Sequence, residues 1–167
     1  MEGVVTFTDV LTQSNTTHKS VPMLLSAASA EDYDCLYRQK GIITAFKEAG
    51  FHIVLHAYGS HFNYKERYPE SMSVFKPDNL TDAKYENKEY LMNAYDNTIR
   101  YTDGFLASLI TLLQKTNSFS AMLYTSDHGE DIFDDNRKLF LHASPVPSYY
   151  QLHVPFLIWL SKTYREK

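Results

Sequence analysis

Titratable side chains crowd the stretch Leu123-Tyr124-Thr125-Ser126-Asp127-His128-Gly129-Glu130-Asp131-Ile132. An apolar run, Ala121 to Tyr124, leads into it, and Asp127, His128 and Glu130 follow around Gly129. An Asp and a His side by side can reach one metal ion if the backbone turns sharply, and a glycine at 129 permits such a turn. Carboxylate oxygen and imidazole nitrogen suit zinc, at ligand distances of roughly 2.0–2.2 Å. A bare Asp-His-Gly is more often a capped turn with a surface histidine; the apolar strand just upstream favours the functional alternative.

Other candidates stand at the edges of other elements. Thr17 lies four residues before Val21, at the mouth of an expected helix. A hydroxyl there meets the positive end of the helix dipole and free N–H groups, which favour an alkoxide or a bound phosphate. An ordinary N-cap explains the same threonine. His61 and His142 each follow an apolar element and precede turn residues, so either could bind a metal or donate to a phosphoryl oxygen. Each alone is also a common structural histidine. His56 reads as a core residue inside a strand, and His18, His52 and His153 have no persuasive context.

The elements that must position these groups follow from periodicity. Val21 to Ala28 predicts a short helix with Pro22 in its first turn, capped from Ser14-Asn15-Thr16-Thr17. Ile42 to Ala49 predicts a second helix, ended by Gly50. Ile53 to Tyr58 is apolar and β-branched and predicts a buried strand, and Phe62 to Asp82 reads as loop. Glu86 to Lys115 predicts a long helix facing its core with Leu91, Tyr95, Thr98, Thr102, Phe105, Leu109 and Leu112. Ala121 to Ser126 and Val154 to Leu160 predict two more buried strands, with irregular chain from Asp131 to Tyr150 between them. Apolar strands alternating with helices argue for an α/β layered fold, whose sites collect where strands end.

Composition narrows the function classes. The 167 residues are 44% hydrophobic and 22% charged, enough for one domain with a real core. A net charge of −4 offers no basic footprint for nucleic acid. The lone Cys35 excludes an internal disulfide and a cysteine zinc knuckle. No apolar run approaches the roughly 20 residues that span a bilayer, and no signal peptide is visible.

Taken together, the clusters resemble the alkaline phosphatase/sulfatase superfamily, and more narrowly the bacterial phosphoethanolamine transferases that modify lipopolysaccharide. Four stretches carry the resemblance in order: NTTHKSVPML (15–24), VLHAYGSHFNYKERYP (54–69), NAYDNTIRYTDGFL (93–106) and LYTSDHGEDI…LHASP (123–145). The first is similar to the nucleophile motif and selects Thr17 over Thr16. The second puts a family histidine at His61, and the last carries the metal motif and His142.

The resemblance implies one catalytic domain over residues 1–167, built as a three-layer α/β/α sandwich around a central mixed sheet. It implies zinc, as one ion or two, or another divalent ion such as Mn2+. The ligands would be Asp127, His128 and the oxygen of Thr17, with Thr17 as nucleophile. His61 and His142 would hold phosphoryl oxygens or a second metal, and Glu130 would support the ligands from behind. The implied donor is phosphatidylethanolamine, transferred through a covalent threonine intermediate to a lipid A-type glycolipid. The implied setting is a monomer anchored in the inner membrane by N-terminal transmembrane helices, facing the periplasm.

Two features depart from the family pattern. A Glu ligand from an upstream strand has no counterpart, because no residue before Thr17, Glu2 included, lies in a strand-like context. The helix ending at Gly50 also runs almost directly into Ile53, where the family has a longer segment between His52 and Ile53. The chain is therefore expected to be an incomplete domain with little turnover by itself. Two alternatives remain: a sulfatase-like hydrolase, phosphodiesterase or phosphoglycerol transferase, and a degenerate glycolipid-binding domain. The Cys/Ser-x-Pro-x-Arg pattern of arylsulfatases is absent around both Cys35 and Ser20.

Overall fold

A computed structural model describes residues 2–50 and 53–167. The expected junction at His52 lies outside the described residues. The main sheet has three strands in the order β1-β5-β2: β1 (Val4–Phe7), β2 (Ala121–Thr125) and β5 (Phe156–Leu160). Both pairings are antiparallel, with Trp159 of β5 level with Val4 on one side and Met122 on the other. Trp159 is 1% exposed and is the buried centre of the sheet. A second, two-stranded ladder pairs β3 (Asp131–Ile132) with β4 (Phe140–Leu141) inside the stretch expected to be irregular.

The first strand corrects the reading of the N-terminal residues. Val4-Val5-Thr6-Phe7 is short but β-branched, and it becomes a strand because β5 offers a complete set of backbone partners. Glu2 lies just outside it and pairs with Arg165 at 2.9 Å on an exposed surface.

The opposite outcome holds for residues 53–58. They are exposed, with Ile53 at 85%, and form no strand. The side chains have strand propensity, but no strand among the described residues pairs with them, and a strand exists only through its ladder. His56 is accordingly exposed rather than in the core. β2 is also less buried than expected. It pairs only with β5, and Ala121 and Leu123 face outward.

The first helix, α1 (Thr17–Leu24), begins four residues earlier than expected. Pro22 therefore sits in its interior, where the missing N–H leaves the His18 carbonyl unserved. The Tyr33 hydroxyl donates to that carbonyl at 3.2 Å and replaces the lost partner. Ser20 is buried and donates to the Ser14 carbonyl at 2.7 Å, which fixes the chain entering the helix. Met23 of the same helix packs with Ala28 and Cys35 in a small core. The next helix, α2 (Ile42–Glu48), ends as expected at Gly50, which adopts φ +108.

The long helix, α3 (Lys88–Lys115), buries Leu91, Ala94, Asn97, Thr98, Leu106 and Ile110. The expected stripe is right in its first half. Beyond Thr98 the buried face rotates, and Phe105 (46%) and Leu112 (61%) are exposed. Leu91 and Ala94 join Tyr64, Ile132 and Phe133 in the larger core, with Phe62, Tyr95 and Phe140 against it. Two short helices close the chain, α4 (Tyr149–Leu152) and α5 (Lys162–Arg165), capped by the side chains of Ser148 and Ser161.

A buried polar knot fastens residues 64–78 to α3. Asn97 is fully buried; its carbonyl oxygen accepts from the amides of Val74 and Phe75 at 2.8 and 2.9 Å. Asp78, 1% exposed, accepts from Lys65 at 2.8 Å, Tyr68 at 2.8 Å, Lys76 at 3.1 Å and Ser73. Burial alone would raise the Asp78 carboxyl, but these donors outweigh it and hold it well below the usual carboxylate range.

Candidate active site

The end of β2 and the start of α1 meet. Thr17 Oγ1 lies 3.1 Å from His128 Nε2, although 111 residues separate them in the chain. His128 turns its other ring nitrogen, Nδ1, to the Gly129 carbonyl at 2.9 Å. With Nδ1–H donating there, Nε2 carries the lone pair toward Thr17. Asp127 Oδ2 stands 3.7 Å from the same Nε2. That oxygen is buried and has no hydrogen-bond partner among the described residues. A buried carboxylate oxygen without a donor is costly and implies a cation or proton that the chain itself does not supply.

Gly129 is needed for a different reason from the one the sequence suggests. Its φ is not in the left-handed region, so no special turn needs it. A Cβ at this position would meet the Tyr150 carbonyl oxygen at 2.1 Å and that of His153 at 3.1 Å. The glycine allows the ligand loop to lie directly against α4, where its N–H donates to the Gln151 carbonyl at 2.9 Å.

The remaining candidates gather around this pair. The His142 ring lies 4.1 Å from that of His128 and 5.8 Å from that of His61. His142 Nδ1 is 3.2 Å from Glu130 Oε1. Glu130 therefore touches His142 and not Thr17 or Asp127, consistent with a supporting place. Burial raises the Glu130 carboxyl, against the Tyr64 hydroxyl and the nearby His61 and His128. Burial disfavours the charged form of His142, and His61 adds to that effect. His61 turns Nδ1 to the Phe62 carbonyl at 2.6 Å. Arg67 donates to the His61 carbonyl at 2.9 Å and stacks on Tyr58 at 4.2 Å. Thr17 and His61 are exposed, and so within reach of a substrate.

A hydrogen-bond network that the sequence did not reveal binds the three contributing segments. Asp131, with no exposure, accepts from Ser148 Oγ at 2.8 Å and Gln151 Nε2 at 2.5 Å. Gln151 Oε1 accepts from Asn15 Nδ2 at 2.6 Å, and Asn15 also donates to the Ser144 carbonyl at 3.0 Å. Asn15 is two residues before Thr17, Asp131 three after His128, and Ser144 two after His142. The signal was present only as unexplained polar residues beside each motif.

The donor set fits a metal ion: one carboxylate oxygen without a partner, one imidazole with its lone pair turned inward, and one hydroxyl. Among the described residues no three His, Cys, Asp or Glu side chains converge as ligands, and the third donor here is the Thr17 oxygen. No upstream Glu enters the cluster among the described residues, and Glu2 is paired elsewhere.

A sheet edge that presents Asp127 and His128 to a threonine at a helix start is the arrangement the sulfatase resemblance implied. The chain belongs to the sulfatase family, whose model matches residues 47–167. Thr17 lies outside the matched residues. The chain is 37% identical over 116 residues to the Kdo(2)-lipid A phosphoethanolamine 7''-transferase of Escherichia coli (strain K12), covering 68% of this chain and 20% of that protein. It is 32% identical over 145 residues to the phosphoethanolamine transferase EptA of Helicobacter pylori, covering 84% of this chain and 27% of that protein. The chain thus spans about a fifth to a quarter of the curated relatives it matches.

The crystal structure of the C-terminal periplasmic domain of EptC from Escherichia coli, in complex with Zn, superposes with a TM-score of 0.84 at 20% identity. It covers 99% of this chain and 64% of that domain. This likeness bears out the expected fold class, an α/β/α sandwich of the alkaline-phosphatase/sulfatase kind. Among the described residues no helix is long and apolar enough to cross a membrane.

Proposed function

We propose that this chain is the part of a zinc-dependent phosphoethanolamine transferase that carries its nucleophile and most of its metal ligands. The observation that carries the reading is the unpartnered, buried Asp127 Oδ2 beside the His128–Thr17 pair. Asp127, His128 and Thr17 would hold the metal. A zinc ion bound there would supply the Lewis acidity that lowers the pKa of the threonine hydroxyl.

Thr17 Oγ1 would form a bond to the phosphorus of phosphatidylethanolamine while the bond to the diacylglycerol oxygen breaks. The hydroxyl proton ends on the departing diacylglycerol oxygen. In the second half, an oxygen of a lipid A-type glycolipid displaces the threonine, which recovers its hydroxyl. His61 and His142 would lie beside the reacting phosphoryl group, where a protonated ring can donate to a phosphoryl oxygen and a neutral one can hold a second metal ion. Relatives that carry out phosphoethanolamine transfer, one of them named for lipid A, support the substrate class. The periplasmic setting of the EptC domain supports the same location here.

The test is zinc per chain by elemental mass spectrometry on the protein as the cell makes it, with Asp127→Ala beside it. About one zinc per chain, lost in the variant, is expected. Incubation with phosphatidylethanolamine vesicles should then add phosphoethanolamine to the peptide containing Thr17. Zinc in neither protein would defeat the reading and leave the glycolipid-binding alternative.

A further inference from the structure

Tyr64 is fully buried and touches the site from behind. It has no exposure, and its ring is held among Leu91, Ala94, Ile132 and Phe133. Phe62 and Tyr95 meet it edge-on at 5.4 and 5.2 Å. Its hydroxyl donates to Glu130 Oε2 at 2.5 Å. The other oxygen of the same carboxyl, Oε1, faces His142 Nδ1 at 3.2 Å. Core, phenol, carboxylate and imidazole thus form one chain that ends at a ring in contact with His128.

We propose that Tyr64 is a positioning residue: its hydroxyl fixes the plane of Glu130 so that Oε1 accepts the Nδ1–H of His142 and leaves a lone pair on Nε2. This rests on His142 belonging to the reaction site proposed above. The terminal torsion of a glutamate is broad and roughly two-fold, so a carboxylate held at one end only can turn away from its partner. A phenol locked in a packed core removes that freedom. With Oε1 as the acceptor, the histidine donates from Nδ1 and its bare nitrogen is Nε2.

The consequence bears on which role His142 has. A neutral imidazole held this way offers an acceptor at Nε2. It suits a metal ion or a proton-bearing group, and it donates to a phosphoryl oxygen only once protonated. His128 follows the same pattern with the Gly129 carbonyl as its anchor. The two neighbouring rings, tilted 33° to one another, are therefore both set to present Nε2 lone pairs.

The experiment is long-range 1H–15N NMR on the 167-residue chain labelled at histidine, with the His142 signals assigned by their loss in His142→Gln. The expected parent signature is a wide split between the two His142 nitrogens, protonated Nδ1 and bare Nε2. In Tyr64→Phe, which keeps the ring in the core, the split should narrow as the tautomers mix. Glu130→Gln turns its one carbonyl oxygen to the Tyr64 hydroxyl and its amide N–H to His142 Nδ1, and should reverse the split, whereas Glu130→Ala should lose it. These two variants decide the matter if Tyr64→Phe does not fold. A proton on Nε2 in the parent, or an unchanged split in Tyr64→Phe and Glu130→Ala, would overturn the assignment. A retained split in protein that binds no zinc supports this assignment and defeats the functional reading; a missing split in protein that binds zinc does the reverse.

Discussion

Replacing Gly129 by alanine asks whether the ligand loop depends on close backbone contact with α4. The added methyl would start 2.1 Å from the Tyr150 carbonyl oxygen, against the 3.4–4 Å of ordinary contact. One side must retreat by more than an ångström, and neither is a flexible side-chain tip. Overpacking of this kind costs about 1–3 kcal/mol. The retreat also stretches the bond from the Gly129 amide to the Gln151 carbonyl, now 2.9 Å, for roughly another 1 kcal/mol. The sum is about 2–4 kcal/mol, which in a chain of this size lowers Tm by roughly 5–15 °C. Gly104 is the internal control. It lies within α3, with nothing within 4 Å of an added methyl, so Gly104→Ala should stabilise by about 0.5–1 kcal/mol. Thermal unfolding by circular dichroism reads both. A Gly129→Ala protein that melts within about 2 °C of the parent, an effect of under 1 kcal/mol, would refute the close-contact argument.

Two further substitutions probe the frame. Tyr33→Phe removes the donor that serves the His18 carbonyl opposite Pro22, and chemical denaturation should show a loss of about 0.5–1.5 kcal/mol; no loss would mean that water serves the carbonyl equally well. Asp78→Asn should cost about 2–3 kcal/mol at neutral pH. Because the folded Asp78 pKa is depressed, its contribution is fully present above the unfolded value of about 3.9 and lost as pH falls below it. The gap between parent and variant in urea midpoints should therefore shrink from pH 5 toward pH 2, and a gap constant across that range would contradict the assignment.

The members of the candidate site were legible in the sequence because the chemistry proposed for them is carried by residue identity. Asp127, His128, Thr17 and His142 announce themselves at element edges, and the folded chain brings them together. The supporting groups were not legible for the opposite reason. Tyr64, Asn97, Gln151 and Asp131 look like ordinary polar or aromatic positions until a partner 20 to 136 residues away is known. Strands failed in both directions for one cause. Val4 to Phe7 had modest signal but found β5; residues 53–58 had strong signal and no ladder among the described residues. Strand propensity measures fit to a sheet that local sequence does not specify. The helix start erred because a proline was assigned to a first turn, when a tyrosine from another segment made its interior position tolerable.

The arrangement of supports explains how three distant segments can hold Thr17 Oγ1 within 3.1 Å of His128 Nε2. Neither partner is fastened directly to the other by the backbone. The ligand loop is anchored by Gly129 and Asp131 to α4 and its cap, and Gln151 of α4 holds Asn15, whose own carbonyl accepts from Ala143 at 3.2 Å. Gln151 bridges both sides through one amide: its nitrogen donates to Asp131 and its oxygen accepts from Asn15. A substitution there would release the Thr17 segment and the ligand loop together, without touching any group in the proposed chemistry. The geometry of the candidate site therefore depends on residues outside the proposed chemistry. Their hydrogen bonds are stronger than solvated ones because Asp131, Ser148 and Gln151 are fully or nearly fully buried.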